Sequence, residues 1–462
     1  MPTRVRTRWA HALNLRAEAW AARLQSGSSR HGTPAACVAG ARRAEHNASL
    51  LLARQTAHLR KVLTAAATAA AYADVAGLLT QRGGDPQKSA ADMLSGLPIL
   101  TKEQVRHGLH DFLVPAPGPV DVRITSGTSG DVTQIVRPRS ATIERAAIAR
   151  RLFDSLALPT FFTLAVVVPW DQEPVDSWGL IDWRICLRQT GLTQLMKDFD
   201  SPEAPPAELI MTSPSMCTLI TEHVAGELAT VSAWEVPGPV RTLLGVAPPS
   251  PPESPAEMYV SAEMITPIAI RYPDCPALHV NSDAVYVETV NPHNGEKLGP
   301  GTPGLLVLTD LLNTSMPFVR YQIGDVGFIE EDRCCPCGRI TPVMTLLGRA
   351  GARTAETKTV ASRLTTKGRW ILVEHDNGVP LLLTDVAGDM PTDGQPYSVR
   401  PLPDRLRTVP PGGLVISIRE RYPVADWRNR SLSDLRIGAR SPHAAFLDRR
   451  HATHHAPTER GR

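Results

Sequence analysis

Short β-rich runs alternate with helical stretches between residues 120 and 348, and this alternation limits the possible folds more than any other feature. FFTLAVVVPW (161–170) is typical of a buried strand, while SDAVYVETV (282–290) and LLVLTD (305–310) indicate two strands joined by an Asn- and Gly-rich turn. TSPSMCTLITEHVAGEL (212–228) begins with turn residues and continues with helical spacing. Strands mixed with helices over this length predict an α/β fold.

The two flanks of this region have a different character. Residues 1–85 are alanine-rich, with apolar positions three and four residues apart, and indicate a helical region. After residue 348, strand-like runs separated by loops predict a small α+β domain over residues 349–440. The tail, residues 441–462, has the composition of a disordered segment. Thr101 is placed to cap a helix that begins KEQVRHGL.

Net charge, hydropathy and cysteine content indicate which binding partners and which cellular compartment to expect. A formal net charge of +3 is close to balance and argues against a nucleic-acid partner. No run reaches the roughly 20 apolar residues of a membrane helix. The arginine-rich amino terminus lacks the apolar stretch of a secretory signal, although a transit peptide is an alternative. Seven cysteines, an odd number, favour a reducing cytoplasm and metal ligation over a disulfide framework.

The segment TSGTSG, Thr125 to Gly130, contains only hydroxyl-bearing residues and glycine. Its exposed N–H groups and hydroxyls can donate several hydrogen bonds to phosphate oxygens. It is not a Walker A loop, because no Gly-Lys-Ser/Thr follows it. An ordinary turn is the commoner origin of such a segment, so taken alone it leaves both interpretations open.

Two further segments carry side chains suited to a nucleotide. In PFVRYQIGDVGFI, Asp325 can accept hydrogen bonds from two ribose hydroxyls, and Arg320 can neutralise a phosphate or anchor a carboxylate. In EMYVSAEM, the Tyr259 ring can stack on an adenine, and Glu263 can bind Mg²⁺ against phosphate oxygens. Each segment alone is also in keeping with a surface turn or a structural salt bridge.

The order of these segments is more specific than any one of them. Taken together they resemble the adenylate-forming superfamily of acyl-CoA synthetases, in particular its phenylacetate–CoA ligase-like branch. The resemblance covers roughly residues 85–349 and rests also on LPILTKEQVR (97–106), MTSPSMCTLI (211–220), VETVNPHNGEKLGPGTPGLLVLTDLLNTSMPFVRYQIGD (287–325) and CCPCGRITPVMTLLGR (334–349). It implies a large AMP-binding core domain of mixed sheets and helices over residues 86–348, followed by the small domain.

The resemblance also implies roles for individual residues. Tyr259 would lie by the adenine, Glu263 would ligate Mg²⁺, Asp325 would bind the ribose, and Arg349 would lie near the nucleotide at the domain hinge. Glu263, Arg320 and Arg349 supply the charges that catalysis needs. The residues that would hold the ATP phosphates are Thr125, Ser126, Gly127, Thr128, Ser129 and Gly130.

A metal site is predicted beside the nucleotide site. Cys275 and His279 have the spacing Cys-x-x-x-His, and Cys335 and Cys337 the spacing Cys-x-Cys, which together give the four ligands of a closed tetrahedral zinc site. Some members of the resembled branch bind structural zinc there. Cys334 is an alternative to Cys335, and reduced cysteines in a tight turn with a capping histidine are an alternative to zinc.

The chain also departs from the resembled pattern. Asp131 stands where the phosphate loop usually has lysine, and Val260 and Ala262 replace the glycine and the hydroxyl residue before Glu263. No lysine follows Lys367, whereas relatives carry a catalytic lysine near the carboxyl end. Arginine can neutralise charge there but differs in reach and geometry.

Two functions follow as expectations. The first is ATP-dependent adenylation of an aromatic or small carboxylic acid in secondary metabolism, with Mg²⁺, followed by transfer to coenzyme A, a carrier-protein thiol or an amine. The alternative is an inactive homologue that binds nucleotide or acts as a scaffold. Neither involves a nucleic acid or a membrane.

Overall fold

The computed structural model has seven α-helices and 18 strands in its described residues. The described residues are 34–85, 88–115, 120–124, 134–138, 140–156, 158, 162–168, 177–182, 185–191, 195, 209–212, 220, 229–233, 243–244, 256–261, 263–330, 335–352, 354–364, 368–375, 379–385 and 397–418. The helices are α1 (Pro34–Ala44), α2 (Ala48–Ala66), α3 (Ala76–Gly84), α4 (Ala90–Leu94), α5 (Lys102–His107), α6 (Ala141–Ser155) and α7 (Ala355–Arg363). The strands are β1 (Val120–Ile124), β2 (Gln134–Pro138), β3 (Phe162–Val168), β4 (Ser177–Asp182), β5 (Ile185–Gly191), β6 (Leu209–Thr212), β7 (Ala229–Ala233), β8 (Ala256–Tyr259), β9 (Ala269–Arg271), β10 (Leu278–Val280), β11 (Val285–Val290), β12 (Gly304–Asp310), β13 (Tyr321–Glu330), β14 (Val343–Ala350), β15 (Trp370–His375), β16 (Leu381–Thr384), β17 (Ser398–Pro401) and β18 (Leu414–Ile418).

One mixed sheet organises the described part of the chain. Strands β5, β3, β6, β7 and β8 lie side by side and run parallel, and β9, β10 and β14 continue the sheet in antiparallel pairing. The strands β1 and β2 form a separate antiparallel hairpin. Strands and helices intermixed in this way confirm the α/β prediction. Because ligands in α/β sheets bind beyond the carboxyl ends of parallel strands, the end of β8 is the expected place for a site.

The amino-terminal region is helical where it is described, as predicted. Asn47 caps α2, its side chain accepting the N–H of Leu50 at 2.9 Å. The apolar face of α2, which includes Leu59 and Leu63, lies in the same hydrophobic core as β13. No single described helix is long and apolar enough to cross a membrane; α2 and residues 70–84 pass that test only as a pair bent by 111°. Residues 1–33 and 441–462 lie outside the described residues.

A short segment after α4 is bound to the start of β13. The Leu100 N–H donates to the Arg320 carbonyl at 2.9 Å, and the Gln322 N–H donates to the Leu100 carbonyl at 2.8 Å. Thr101 then caps α5 in a capping box with Gln104, as the sequence predicts. This pairing fixes where α5 begins relative to β13.

Arg320 holds this junction together. Its φ of 53° lies in the left-handed region, which costs a residue with a side chain about 1 kcal/mol or more. Three contacts offset this cost: the Arg320 N–H donates to Thr309 Oγ1 at 3.0 Å, the guanidinium donates to Glu288 Oε2 at 3.0 Å, and a further nitrogen donates to the Leu97 carbonyl. The side chains of Arg320 and Glu288 are both buried. The arginine therefore serves the fold directly.

Strand β14 crosses the predicted domain boundary at residue 349 without interruption. Its last residues pair with β18, Arg349 opposite Ser417 and Ala350 opposite Ile416, and the Gly351 N–H donates to the Val415 carbonyl at 2.9 Å. One hydrophobic cluster joins the two sides. Its buried members include Val326, Phe328 and Leu347 from β13 and β14, Ile371, Val373, Leu383, Ile416 and Ile418 from β15, β16 and β18, and Leu406 from the 3-10 turn Asp404–Leu406.

Hydrogen exchange of the folded protein checks this attachment. We expect the amides of β18 and of Gly351 to exchange as slowly as those of β13, because opening them would expose the shared cluster. The matched control is β17, an edge strand whose four residues are all exposed, which we expect to exchange faster. Exchange of β18 at the rate of β17 would contradict the attachment.

Candidate functional site

Tyr259 ends β8, the strand at one end of the parallel run β5, β3, β6, β7 and β8, and its side chain is almost fully buried. Its hydroxyl donates a hydrogen bond of 2.5 Å to Asp325 Oδ2 on β13. Burial, and then the neighbouring Asp325 carboxylate, raise the pKa of Tyr259 well above its ordinary value. The phenol therefore stays protonated and acts as a donor to Asp325.

Asp325 and Arg349 stand opposite each other on the antiparallel strands β13 and β14. Arg349 Nη1 lies 3.0 Å from Asp325 Oδ1; the aspartate side chain is 1% exposed and the arginine side chain 46% exposed. The Asp325 charge raises the pKa of Arg349, with smaller contributions in the same direction from Tyr259 and Glu263. Gly324, with φ of 86°, supplies the backbone conformation just before the aspartate. A buried carboxylate thus faces a cation whose side chain is partly exposed and also donates to the Ile323 carbonyl at 3.4 Å.

Glu263 lies in the turn that follows β8 and is 6% exposed. The Ser261 hydroxyl donates to its Oε2, and the Tyr321 hydroxyl donates to its Oε1 at 3.1 Å. Lys102 Nζ, from the first turn of α5, lies 4.0 Å from the same Oε1. Ser261 therefore supplies, one position earlier, the hydroxyl that Ala262 lacks.

Lys102 is not among the residues predicted from the sequence, although the LPILTKEQVR segment that carries it is. Only the tertiary structure identifies Lys102, because the pairing of Leu100 with β13 brings α5 close to Tyr321 and Glu263. The ammonium group is 40% exposed, so its attraction to Glu263 is partly screened by water.

Four of the residues predicted to bind the nucleotide lie close together in the structure, whereas Arg320 has buried partners outside this group. Tyr259, Glu263, Asp325 and Arg349 lie within electrostatic reach of one another. Arg320 is instead held by Glu288 and the Leu97 carbonyl. Residues 125–130 lie outside the described residues, so the predicted phosphate contacts of Thr125 to Gly130 stay a prediction, as does stacking of Tyr259 on an adenine.

The four predicted metal ligands also come together. The donor atoms of Cys275, His279, Cys335 and Cys337 all lie within 4.8 Å of one another. Cys275 Sγ is 3.2 Å from Cys335 Sγ and 3.4 Å from His279 Nε2, and Cys337 Sγ is 3.3 Å from the same Nε2. Sulfur atoms at 3.2 Å are not disulfide-bonded. Cys334, the alternative ligand, lies outside the described residues.

The surroundings of the cluster suit a cation between its ligands. His279 Nδ1 lies 3.2 Å from Thr341 Oγ1, which leaves Nε2 directed at the three sulfurs. Burial raises the pKa of Cys275 to about 12 when no positive charge faces it. Thiolates at this distance would repel one another, and a divalent cation between them would neutralise their charge.

The loop that carries Cys335 and Cys337 is tied to the amino-terminal helices. The Arg339 guanidinium lies 3.6 Å from the centre of the Tyr272 ring, and the Tyr272 hydroxyl donates to Glu45. The Ile340 N–H donates to the Glu45 carbonyl at 2.9 Å. The cysteine cluster therefore joins the sheet to the end of α1.

Comparisons with known proteins bear on the fold and on part of the sequence. No protein-family model matches the chain. Phenylacetate-coenzyme A ligase of Thermus thermophilus is 40% identical over 72 residues, a stretch that spans 15% of this chain and 16% of that protein. Two solved structures of 2-hydroxyisobutyryl-CoA ligase, in the open conformation and in the postadenylation state, align with TM-scores of 0.51 each.

The first of these structures is 18% identical and the alignment covers 74% of this chain and 81% of that chain; the second is 16% identical, with 89% and 94% covered. Similarity at that level concerns the fold. The chain therefore shares the fold of 2-hydroxyisobutyryl-CoA ligase, and its predicted resemblance to phenylacetate–CoA ligase is confirmed over 72 residues.

Proposed function

We propose that the protein adenylates a carboxylic acid with ATP and transfers the acyl group to coenzyme A or another thiol or amine. The observation that carries this proposal is the convergence of Tyr259, Glu263, Asp325 and Arg349 beyond the carboxyl end of β8. These residues come from three separate parts of the sequence, and each is of the type that a nucleotide site needs. The confirmed fold supports the same function.

In this reaction an oxygen of the substrate carboxylate attacks the α-phosphorus of ATP. The bond from the α-phosphorus to the bridging oxygen breaks, and pyrophosphate leaves with that oxygen and its electron pair. Asp325 accepts the ribose hydroxyls, since each carboxylate oxygen has a second lone pair beyond the one used by Tyr259 or Arg349. Arg349, half exposed, can turn from Asp325 towards the phosphate that carries the developing charge.

Glu263 fits the role of a magnesium ligand. Its carboxylate is oriented by Ser261 and Tyr321 and offers hard oxygen donors. Bound there, Mg²⁺ would neutralise phosphate charge. Lys102 stands beside the same carboxylate and brings a positive charge into a chain that has aspartate at position 131 and no lysine after Lys367. We propose that Lys102 supplies part of the missing charge.

The acceptor, the acid and the cellular setting belong to the same proposal. The named relatives are ligases of coenzyme A, which supports coenzyme A as acceptor. A carrier-protein thiol, a role in secondary metabolism and a cytoplasmic location are supported by the sequence alone.

Pyrophosphate exchange on a panel of aromatic and short aliphatic acids tests adenylation. We expect exchange with at least one acid, and a loss of about a hundredfold or more in Glu263→Gln and Asp325→Asn, because each removes charge from the nucleotide site. Glu330→Gln is the matched control, since Glu330 pairs with Arg405 at the surface. Binding of ATP without exchange for any acid would favour the inactive homologue instead.

Substitution of Lys102 tests its contribution to charge neutralisation. We expect Lys102→Met to lower the rate of pyrophosphate exchange about tenfold, the effect of one partly screened charge at this distance, and Lys102→Arg to retain most of the rate. Lys88→Met is the matched control, because Lys88 faces Asp85 outside the site. Equal rates in Lys102→Met and Lys88→Met would remove Lys102 from the mechanism.

We further propose that Cys275, His279, Cys335 and Cys337 hold one structural zinc ion. Three sulfurs and one imidazole nitrogen match a closed tetrahedral site, whose Zn–S bonds of about 2.3 Å place the ligand atoms about 3.8 Å apart. Three pairs of donor atoms in the cluster are 3.2 to 3.4 Å apart and all four atoms lie within 4.8 Å of one another, so a small shift of the close pairs accommodates the ion. All four positions are filled by protein atoms, so the ion would stabilise the fold without binding substrate.

Metal analysis of the purified protein tests the zinc proposal. We expect one zinc per chain, with loss of the metal and a melting temperature lower by several degrees in Cys335→Ser, because the metal joins β10 to the loop tied to α1. Cys37→Ser, which alters a cysteine of α1 outside the cluster, should keep its zinc. Zinc retained at full occupancy in Cys335→Ser would contradict this ligand set.

A further inference from the structure

Strand β2 begins four residues after the TSGTSG segment in the sequence, and it is hydrogen-bonded to the turn that carries Glu263. Arg137, near the end of β2, donates from Nη2 to the Met264 carbonyl at 2.6 Å. Met264 is the residue directly after Glu263. One side chain thus connects the strand next to the predicted phosphate segment with the predicted metal ligand.

A buried carboxylate holds the other side of the same turn. Asp310, fully buried, accepts the N–H groups of Ile265 at 2.8 Å, Leu312 at 2.8 Å and Asn313 at 3.2 Å. Burial raises the pKa of Asp310, and these N–H groups and the charge of Arg137 oppose that rise. The turn of Glu263 is therefore held from one side by Asp310 and from the other by Arg137.

The hairpin is also bound directly to the segment that follows Asp310. Asn313 Nδ2 donates to the Val136 carbonyl at 3.0 Å, and the Asn313 side chain accepts the N–H of Met316 at 3.0 Å. Strand β2, the Glu263 turn and residues 310–316 thus form one hydrogen-bonded unit. Arg137 is the member that links β2 to the Glu263 turn by its side chain.

We propose that Arg137 is a positioning residue that fixes the Glu263 carboxylate relative to the β1–β2 hairpin, and so sets the affinity of the site for magnesium with ATP. This rests on the proposed function. A magnesium ion shared between a carboxylate and phosphate oxygens requires a near-fixed distance between the two, because its octahedral coordination tolerates little distortion. Removal of the guanidinium would break the side-chain bond from β2 to the Glu263 turn and leave the turn held by Asp310 and Tyr321.

Pyrophosphate exchange as a function of Mg²⁺ concentration, with calorimetric titration of magnesium–ATP, tests the proposal in the full-length protein. We expect Arg137→Gln to raise the half-saturating Mg²⁺ concentration about tenfold, as for loss of one charge-assisted hydrogen bond, and to weaken magnesium–ATP binding similarly. Arg137→Lys, which keeps the charge and one donor, should recover part of both effects. If Arg137→Gln does not fold, Arg137→Lys alone must show the intermediate shift.

The matched control is Arg54→Gln. Arg54 is a part-buried arginine with two ion pairs, to Glu144 and Asp283, and it does not touch the Glu263 turn. Its loss should lower the melting temperature and leave the half-saturating Mg²⁺ concentration unchanged.

Unchanged Mg²⁺ dependence in Arg137→Gln, or an equal shift in Arg54→Gln, would overturn the role of Arg137. Absence of exchange with intact, Arg137-dependent magnesium–ATP binding would overturn only the proposed reaction, and absence of magnesium–ATP binding by the unchanged protein would overturn both.

Discussion

Pairing of Leu100 with the backbone on either side of Tyr321 is the constraint on which the site depends. Two backbone hydrogen bonds make this junction, and Arg320, whose carbonyl accepts one of them, adopts a left-handed conformation that its buried partners stabilise. Because the segment cannot slide along β13, α5 begins at one place only. Lys102 and Tyr321 then reach the same oxygen of Glu263. The Thr101 cap and the pairing of Leu100 with β13 together place these two side chains at the site.

Each acidic group at or near the site faces a cation, but the cations differ in how far they can move. Arg320 is buried with Glu288, where separation of the pair would leave a charge without a partner at a cost of about 3–5 kcal/mol. The side chains of Arg349 and Lys102 are 46% and 40% exposed, but Asp325 and Glu263 are buried, so either cation can leave its carboxylate only when another donor or cation replaces it. The buried pair therefore maintains the frame, and the exposed cations are the ones that a polyanion can recruit.

Residue pattern predicted much of this arrangement, because the relevant interactions are local or are carried by motifs. The Thr101 cap and the strands β3, β11 and β12 follow from spacing and residue type and are confirmed, and the four predicted metal ligands lie together, although their binding of a metal stays a prediction. Arg320 illustrates what pattern leaves open. An arginine beside an aspartate motif looks the same in sequence whether its partner is a ligand or Glu288, 32 residues away.

Lys102 and Arg137 were beyond prediction for the same reason. Their partners, Glu263 and the Met264 carbonyl, lie more than 100 residues further along the chain, and only the tertiary fold brings them close. Ser261 is a smaller example. Its hydroxyl donates to Glu263, but Ser261 lies one position before Ala262, so a comparison at position 262 counts the hydroxyl as absent.

Attachment of the carboxy-terminal strands has a consequence for how the site is closed. Rotation about residues 349–351 would break the pairing of β14 with β18 and expose the buried side chains of Phe328 and Leu347, each worth about 1.5–3 kcal/mol. The partner side chains of β15 and β18 would add to that cost. Under the proposed function, the cations that the described residues place beside Glu263 and Asp325 are Lys102 and Arg349, in a chain with no lysine after Lys367.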